Sequence, residues 1–193
     1  MTATLCLASA SPRRRDLLAS IGVDVEICPV DVDESPRRDE SPAQYVSRLA
    51  SDKALAGAKL SMLPVLGADT AVVCKGRILG KPHDRRHASE MLGALSGSVH
   101  EVLTAVAVSG PAGLLVRCVT TKVWMREIQP GEIAAYWATG EPVDKAGGYA
   151  IQGRAAIFVE RIEGSHSAVV GLPLFETAEL LQRQGVSLWT AMS

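Results

Sequence analysis

The sequence of 193 residues predicts an α/β fold built on a mixed β-sheet flanked by helices. Three observations predict it. Apolar runs of strand length interleave with amphipathic segments of helical period. Turn signals at Lys75-Gly76 and at residues 109–113 join neighbouring strand-like runs into hairpins, which a wholly parallel sheet would lack. The hydrophobic fraction of 47% supplies a core for one large domain or for two small lobes sharing it.

Residues 4–8 read as a short buried strand. Ser11-Pro12 opens a helix with Ser as N-cap and Pro at the first helical position. Leu17, Leu18 and Ile21 make its apolar stripe, and Gly22 ends it. Residues 23–30 alternate as a second strand, and an acidic loop follows at 31–40. Ser41-Pro42-Ala43-Gln44 is a capping box, and the helix after it buries Val46, Leu49, Ala50 and Ala54. Residues 64–74 form a strand candidate that Gly67-Ala68-Asp69-Thr70 is expected to interrupt. A tight turn at Lys75-Gly76 leads into 77–79, and Gly80-Lys81-Pro82 is a loop.

Residues 84–95 predict a helix ending near Gly97. Long strands are expected at 100–108 and 114–125, then a short helix at 130–139 closed by Gly140. A glycine-rich loop at 144–153, a strand at 155–162 and a closing helix at 173–184, stopped by Gly185, complete the chain.

The formal net charge of −1 excludes a global bias toward nucleic acid, so any polyanion must meet a local cluster of cations. Cys6, Cys28, Cys74 and Cys118 form no C-x-x-C pair, and three lie in apolar β-like runs. That predicts buried free thiols, neither a disulfide framework nor a zinc site. The first ten residues do not read as a signal peptide, and no apolar stretch is long enough for a membrane span. A soluble, cytoplasmic protein is expected, with no repeat or long linker in its 193 residues.

Four features carry chemistry. Arg13, Arg14 and Arg15 occupy the first turn of a helix, beside Ser9 and Ser11. The helix dipole makes that end positive, so the cations are badly placed for stability and well placed for an anion; a solvated basic turn is the alternative. Lys53 lies on the apolar stripe of its helix, where it either snorkels or reaches a buried anion. Asp69 is a carboxylate in an apolar strand-like run, which requires a partner, a metal or a shifted pKa. It reads as a general base or Mg²⁺ ligand, or as a structural Asp bound to a turn. The segment 144–153 allows close backbone approach, and Gln152 offers a pyrimidine edge one acceptor and two donors; an ordinary flexible loop is the alternative. Gly80-Lys81-Pro82 is not a Walker A motif; on its own it is a weak signal and reads first as a surface loop lysine. His83 and His87 share helical spacing without a third metal ligand.

Together these segments resemble the Maf family of nucleoside triphosphate pyrophosphatases. The resemblance runs through LASASPRRRDLL at 7–18, DVDES at 31–35, LASDKA at 49–54, LGADTAVV at 66–73 and LGKP at 79–82. It continues through LSGSVHEVLTAVAV at 95–108, EPVDKAGGYAIQG at 141–153 and GSHSAVVGLPLFET at 164–177. It implies a single Maf-like domain with an elongated mixed sheet and two lobes around a nucleotide cleft, similar to inosine-triphosphate pyrophosphatases. It also implies a divalent metal, Mg²⁺ or Mn²⁺, and often a homodimer.

By the same resemblance, Ser9, Arg13 and Arg14 hold phosphates and Lys53 and Lys81 stabilise the triphosphate charge. Asp69 takes the proton, and Glu34 helps Asp69 hold the metal. One subgroup looks like a dTTP/UTP pyrophosphatase and another acts on 7-methyl-GTP. Arg13, Thr70 and Gln152 match the first; Ala10 and the extra Arg15 depart from the pattern. The implied activity is hydrolysis of the triphosphate to monophosphate and pyrophosphate. A non-catalytic regulator of septum formation and a pyrophosphatase for modified pyrimidine nucleotides are the alternatives.

Overall fold

A computed structural model describes residues 3–189. In chain order it contains β1 (Leu5–Leu7), α1 (Pro12–Ser20), β2 (Val25–Ile27), α2 (Pro42–Gly57), β3 (Val65–Cys74), β4 (Arg77–Leu79) and α3 (Arg85–Leu95). There follow β5 (Val99–Gly110), β6 (Gly113–Met125), α4 (Pro130–Ala138), β7 (Val159–Glu163), α5 (His166–Val170) and α6 (Leu174–Arg183). Among the described residues these strands form one seven-stranded sheet in the order β2-β1-β3-β5-β6-β7, with β4 paired to β3. β1 is parallel to β2 and to β3, whereas β3–β4 and β6–β7 are antiparallel. The sheet is therefore mixed, as the interleaved helices and hairpins require.

The described residues fall into two compact units. The first draws on the described residues up to Asp69, on Thr104–Val119 and on the described residues from Gly171 onward. Its core is aliphatic: Leu5, Leu7, Leu18, Leu66, Val106, Leu172, Leu180 and Leu181 pack together from β1, β3, β5 and the helices. The capping box of α2 forms as its sequence dictates: Ser41 Oγ accepts from Gln44 N–H, and Gln44 Oε1 from Ser41 N–H.

β3 runs unbroken through Gly67-Ala68-Asp69-Thr70, where the sequence suggests an interruption. Gly67 keeps its place in the ladder because α2 crosses directly over it. A Cβ there would stand 2.3 Å from the Ala50 carbonyl oxygen and 2.5 Å from the Ala54 nitrogen. The missing side chain is a close-approach device, not a turn. β2 is shorter than the alternation at 23–30 suggests; it lies at the sheet edge, with Glu26 and Ile27 exposed.

The second unit comprises Thr70–Leu103 and Thr120–Val170. Its core includes Leu92, Leu95, Val102, Val123, Tyr136, Tyr149 and Phe158. Lys75 (φ 49°) and Gly76 (φ 75°) make the tight turn between β3 and β4. Asp84 caps α3 by accepting from His87 N–H. One expectation fails here. Residues 155–162 are not one strand: Arg154–Phe158 is a 3₁₀ turn, and β7 starts at Val159. Ala155 and Phe158, three apart, both point into the core, a spacing that a 3₁₀ turn satisfies and a strand cannot. Residues 144–153 remain a glycine-rich loop without α-helix or strand, but a tightly packed one. Glu141–Asp144 and Ala146–Gly148 are 3₁₀ turns, and residues 147–151 are buried.

Candidate active site

In the first unit, Ser11 starts α1 without a side-chain cap. Its N–H donates to Ser9 Oγ at 3.2 Å, and Arg14 Nη1 donates to the same oxygen at 3.2 Å. Arg14 Nε donates to the carbonyl of Gly171 at 2.9 Å. The guanidinium is thus fixed at both ends at the positive terminus of a helix. Burial lowers its pKa; Asp69 and Glu34 work against that shift, and Arg13 adds to it. Arg13 is half-buried on the same turn, whereas Arg15 is exposed and pairs with Asp16.

Lys53 is buried on the apolar face of α2, and its stem does not simply snorkel. Nζ donates to Asp69 Oδ1 at 2.8 Å and lies 2.7 Å from Glu34 Oε1. The Asp69 side chain is 13% exposed and that of Glu34 57%, so one carboxylate is sheltered and the other wet. Burial pushes the Asp69 pKa up; Lys53 and Arg14 oppose this and Glu34 reinforces it. Asp69 therefore holds a proton more readily than an exposed carboxylate does.

The loop carrying Glu34 is tied to α2. Tyr45 Oη donates to the Glu34 carbonyl at 3.0 Å. Arg48 grips Glu40 with two bonds, Nε–Oε1 at 2.6 Å and Nη2–Oε2 at 2.8 Å, and also donates to the carbonyls of Asp33 and Ser35. The fork holds the Glu40 carboxyl down at about 2.

In the second unit, Gln152 is exposed between two anchored segments. Ahead of it, Ala150 N–H donates to Tyr136 Oη at 3.2 Å. Behind it, Arg154 N–H donates to Glu141 Oε2 at 3.1 Å, while Tyr136 Oη donates to Glu141 Oε1 at 2.8 Å. Burial opposes ionisation of Glu141, but these donors hold its pKa below the usual range. A Cβ at Gly153 would stand 2.3 Å from Glu141 Oε1, so the glycine is what admits the carboxylate. Gly147 (φ 71°) donates its N–H to the Gly80 carbonyl at 2.9 Å, tying the glycine-rich segment to the loop that presents the exposed Lys81. Thr70 is half-buried in β3.

Residues 4–184 match the model of the Maf-like protein family. The chain is 56% identical to a dTTP/UTP pyrophosphatase of Saccharophagus degradans, over 97% of this chain and 92% of that protein. It is 53% identical to a dTTP/UTP pyrophosphatase of Nitrosomonas europaea, over 95% of each. The chain belongs to the Maf family. The solved structure of a HAM1 protein from Coxiella burnetii shares its fold, with a TM-score of 0.53 over 94% of this chain and 100% of that one at 16% identity.

In this Maf-family chain the first unit gathers Ser9, Arg14, Lys53, Asp69 and Glu34, with Arg13 on the same turn as Arg14. The second carries Thr70, Lys81 and Gln152. Several supporting groups escape a reading of the sequence. Arg48 and Glu40 carry a signal in hindsight, a carboxylate just before the helix cap and an arginine on the second turn. The Gly171 carbonyl carries none, because a contact across 157 residues through a backbone oxygen leaves no spacing pattern.

Proposed function

We propose that this chain hydrolyses dTTP and UTP to the nucleoside monophosphate and pyrophosphate. The observation that carries the reading is the sheltered Asp69 carboxylate, its pKa raised, held by Lys53 beside the Arg14 and Ser9 anion site. Names of relatives matched along nearly the whole chain support it.

Ser9, Arg13 and Arg14 bind the triphosphate, each charge-assisted contact contributing about 1.5–3 kcal/mol. Asp69 accepts a proton from water as the water oxygen attacks the α-phosphorus. The bond from that phosphorus to the bridging oxygen breaks, and pyrophosphate leaves with its charge spread over Lys53, Lys81 and the arginines. Arriving phosphate oxygens give Lys53 new partners and release Asp69 for proton transfer. Gln152 and Thr70 test the base; a mismatched edge leaves a polar group unpaired at a cost of about 1–3 kcal/mol.

A divalent cation, Mg²⁺ or Mn²⁺, belongs to this reading. Two carboxylates of different helix-loop and strand origin converge on one ammonium, so hard oxygen donors suited to such an ion stand together at Asp69 and Glu34. When bound, the cation supplies Lewis-acid stabilisation of the phosphate charge. A homodimer in the cytoplasm is the expected setting, and light scattering of the purified protein tests the assembly.

The deciding experiment incubates the protein with Mg²⁺ or Mn²⁺ and a panel of canonical and modified nucleotides, and identifies each product. Monophosphate and pyrophosphate from dTTP and UTP, ahead of purine nucleotides, are expected. Release of orthophosphate, or no turnover of any nucleotide, refutes the assignment.

A further inference from the structure

Cys6 and Cys28 are both free thiols, and their sulphurs lie 2.7 Å apart. Cys6 is fully buried in β1; Cys28 follows β2 and is half-buried. The parallel register pairs Cys6 with Glu26 and Leu7 with Ile27, and Cys28 N–H continues the ladder by donating to the Leu7 carbonyl at 3.0 Å. Cys6 and Cys28 are therefore diagonal neighbours on one face of adjacent strands. They share an apolar patch with Ala8, Val65, Val30 and Leu63, so both sulphurs sit at the same layer.

We propose that Cys6 and Cys28 form a redox modification site, a dithiol that closes to a disulfide under peroxide and thereby restrains the acidic loop of the active site. The separation is well inside van der Waals contact of two sulphurs, and a fraction of an ångström separates it from a bond of about 2.05 Å. Neither thiol belongs to the hydrolytic machinery. Cys6 stands three residues before Ser9, and Cys28 six residues before Glu34. A bond between them ties the strand leading to the anion site to the segment leading to the carboxylate against Lys53.

The chemistry balances with a hydroperoxide as oxidant. The Cys28 thiolate, the one within reach of solvent, attacks a peroxide oxygen; the O–O bond breaks, hydroxide leaves and a sulfenic acid forms. The Cys6 sulphur then attacks Cys28 Sγ. The S–S bond forms as the S–O bond breaks, and the departing hydroxide takes the Cys6 proton as water. Two thiols lose two electrons and two protons, and the peroxide becomes two waters. Burial raises the Cys6 pKa to about 12, so Cys6 is the poorer first nucleophile and the attack on peroxide falls to Cys28.

The test uses the full chain carrying Cys118→Ser, which removes the exposed thiol. Treatment with hydrogen peroxide should lower the intact mass by two hydrogen atoms and yield a peptide linking Cys6 to Cys28. Nucleotide hydrolysis should fall and return with dithiothreitol. Adding Cys28→Ser should abolish the cross-link and leave activity insensitive to mild peroxide. Persistence of both thiols, or over-oxidation of Cys28 without a cross-link, overturns the site. A cross-link with unchanged hydrolysis overturns its control of activity. The activity arm rests on the hydrolase reading, whereas the mass and peptide arms do not. A chain that cross-links but never hydrolyses nucleotides in its reduced form refutes that reading and leaves the dithiol site standing.

Discussion

Lys53 Nζ, projecting from the apolar face of α2, donates to Asp69 Oδ1 in β3 at 2.8 Å, and Gly67, two residues before Asp69, is what lets the helix come that close. The ammonium stabilises the ionised form of a carboxylate that burial pushes toward protonation. Removing it must raise the Asp69 pKa further. Lys53→Met should therefore move the acid limb of the kcat/KM profile to higher pH and lower its plateau. An acid limb at its original pH in the variant would separate Asp69 from the rate-limiting proton transfer.

Asp69→Asn keeps the shape and removes the proton acceptor. Loss of a general base costs about 10²–10⁴-fold in rate. A fall of that size in kcat is expected with an unchanged far-ultraviolet circular dichroism spectrum. A folded Asp69→Asn protein with full turnover would place the base elsewhere.

Gly67→Ala tests packing. The new Cβ would meet the backbone of α2 at Ala50 and Ala54, which cannot rotate away as a side chain would. Overpacking of this kind costs about 1–3 kcal/mol. The midpoint of urea unfolding should fall, and activity should fall with it, because the displaced helix carries Lys53. Stability equal to that of the parent would mean that α2 shifts without penalty.

The legible and illegible parts of this chain divide along a physical line. Helix starts at Ser41 and Asp84 and the turn at Lys75-Gly76 could be read, because caps and positive φ select residue types locally. Lys53 and Asp69 could be singled out because a charge on an apolar stripe needs a partner; that they are each other's partner could not. Gly67 misled for the same reason. In one dimension a glycine before an aspartate suggests a turn, and only the helix lying over it explains why it sits inside a strand. The 3₁₀ turn at Arg154–Phe158 was hidden because an apolar run of five residues fits either geometry until the core selects one. Distant supports such as Gly171 to Arg14 have no sequence signature at all.

Gln152 owes its position to the frame on either side of it. Tyr136→Phe deletes the hydroxyl that accepts from Ala150 and donates to Glu141. One net hydrogen bond is worth about 0.5–1.5 kcal/mol, and an orphaned buried donor, here the Ala150 N–H, costs more. The expected outcome is a KM for dTTP and UTP raised severalfold, with narrower discrimination against other bases and a smaller change in kcat. Equal kinetics on every nucleotide would show that the frame does not set base preference.

His100 supplies a pH dependence that is separate from catalysis. Its Nε2 lies 2.7 Å from Tyr149 Oη, and its Nδ1 is buried without a hydrogen-bond partner. Burial pushes the imidazole pKa down to about 4 from an ordinary 6.5. The folded chain therefore keeps His100 neutral through a range in which the unfolded chain protonates it. The sign follows: below about pH 6.5 the unfolded state binds the extra proton, and stability falls until the folded imidazole also titrates near 4. The Glu40 and Glu132 carboxyls, both held at about 2, contribute losses only below their ordinary value of 4.5. Between pH 6.5 and 4.5 the slope from His100 is at most about 1.4 kcal/mol per pH unit. Urea unfolding at pH 7 and pH 5 should show this loss in the parent chain and a flatter response in His100→Gln, whose amide retains a partner for Tyr149 without titrating. An identical pH 5 loss in both proteins would assign the acid sensitivity to other groups. The same substitution should leave the pH profile of Asp69-dependent hydrolysis unmoved, because His100 and Tyr149 are buried against each other in the second unit, whereas Asp69 belongs to the first.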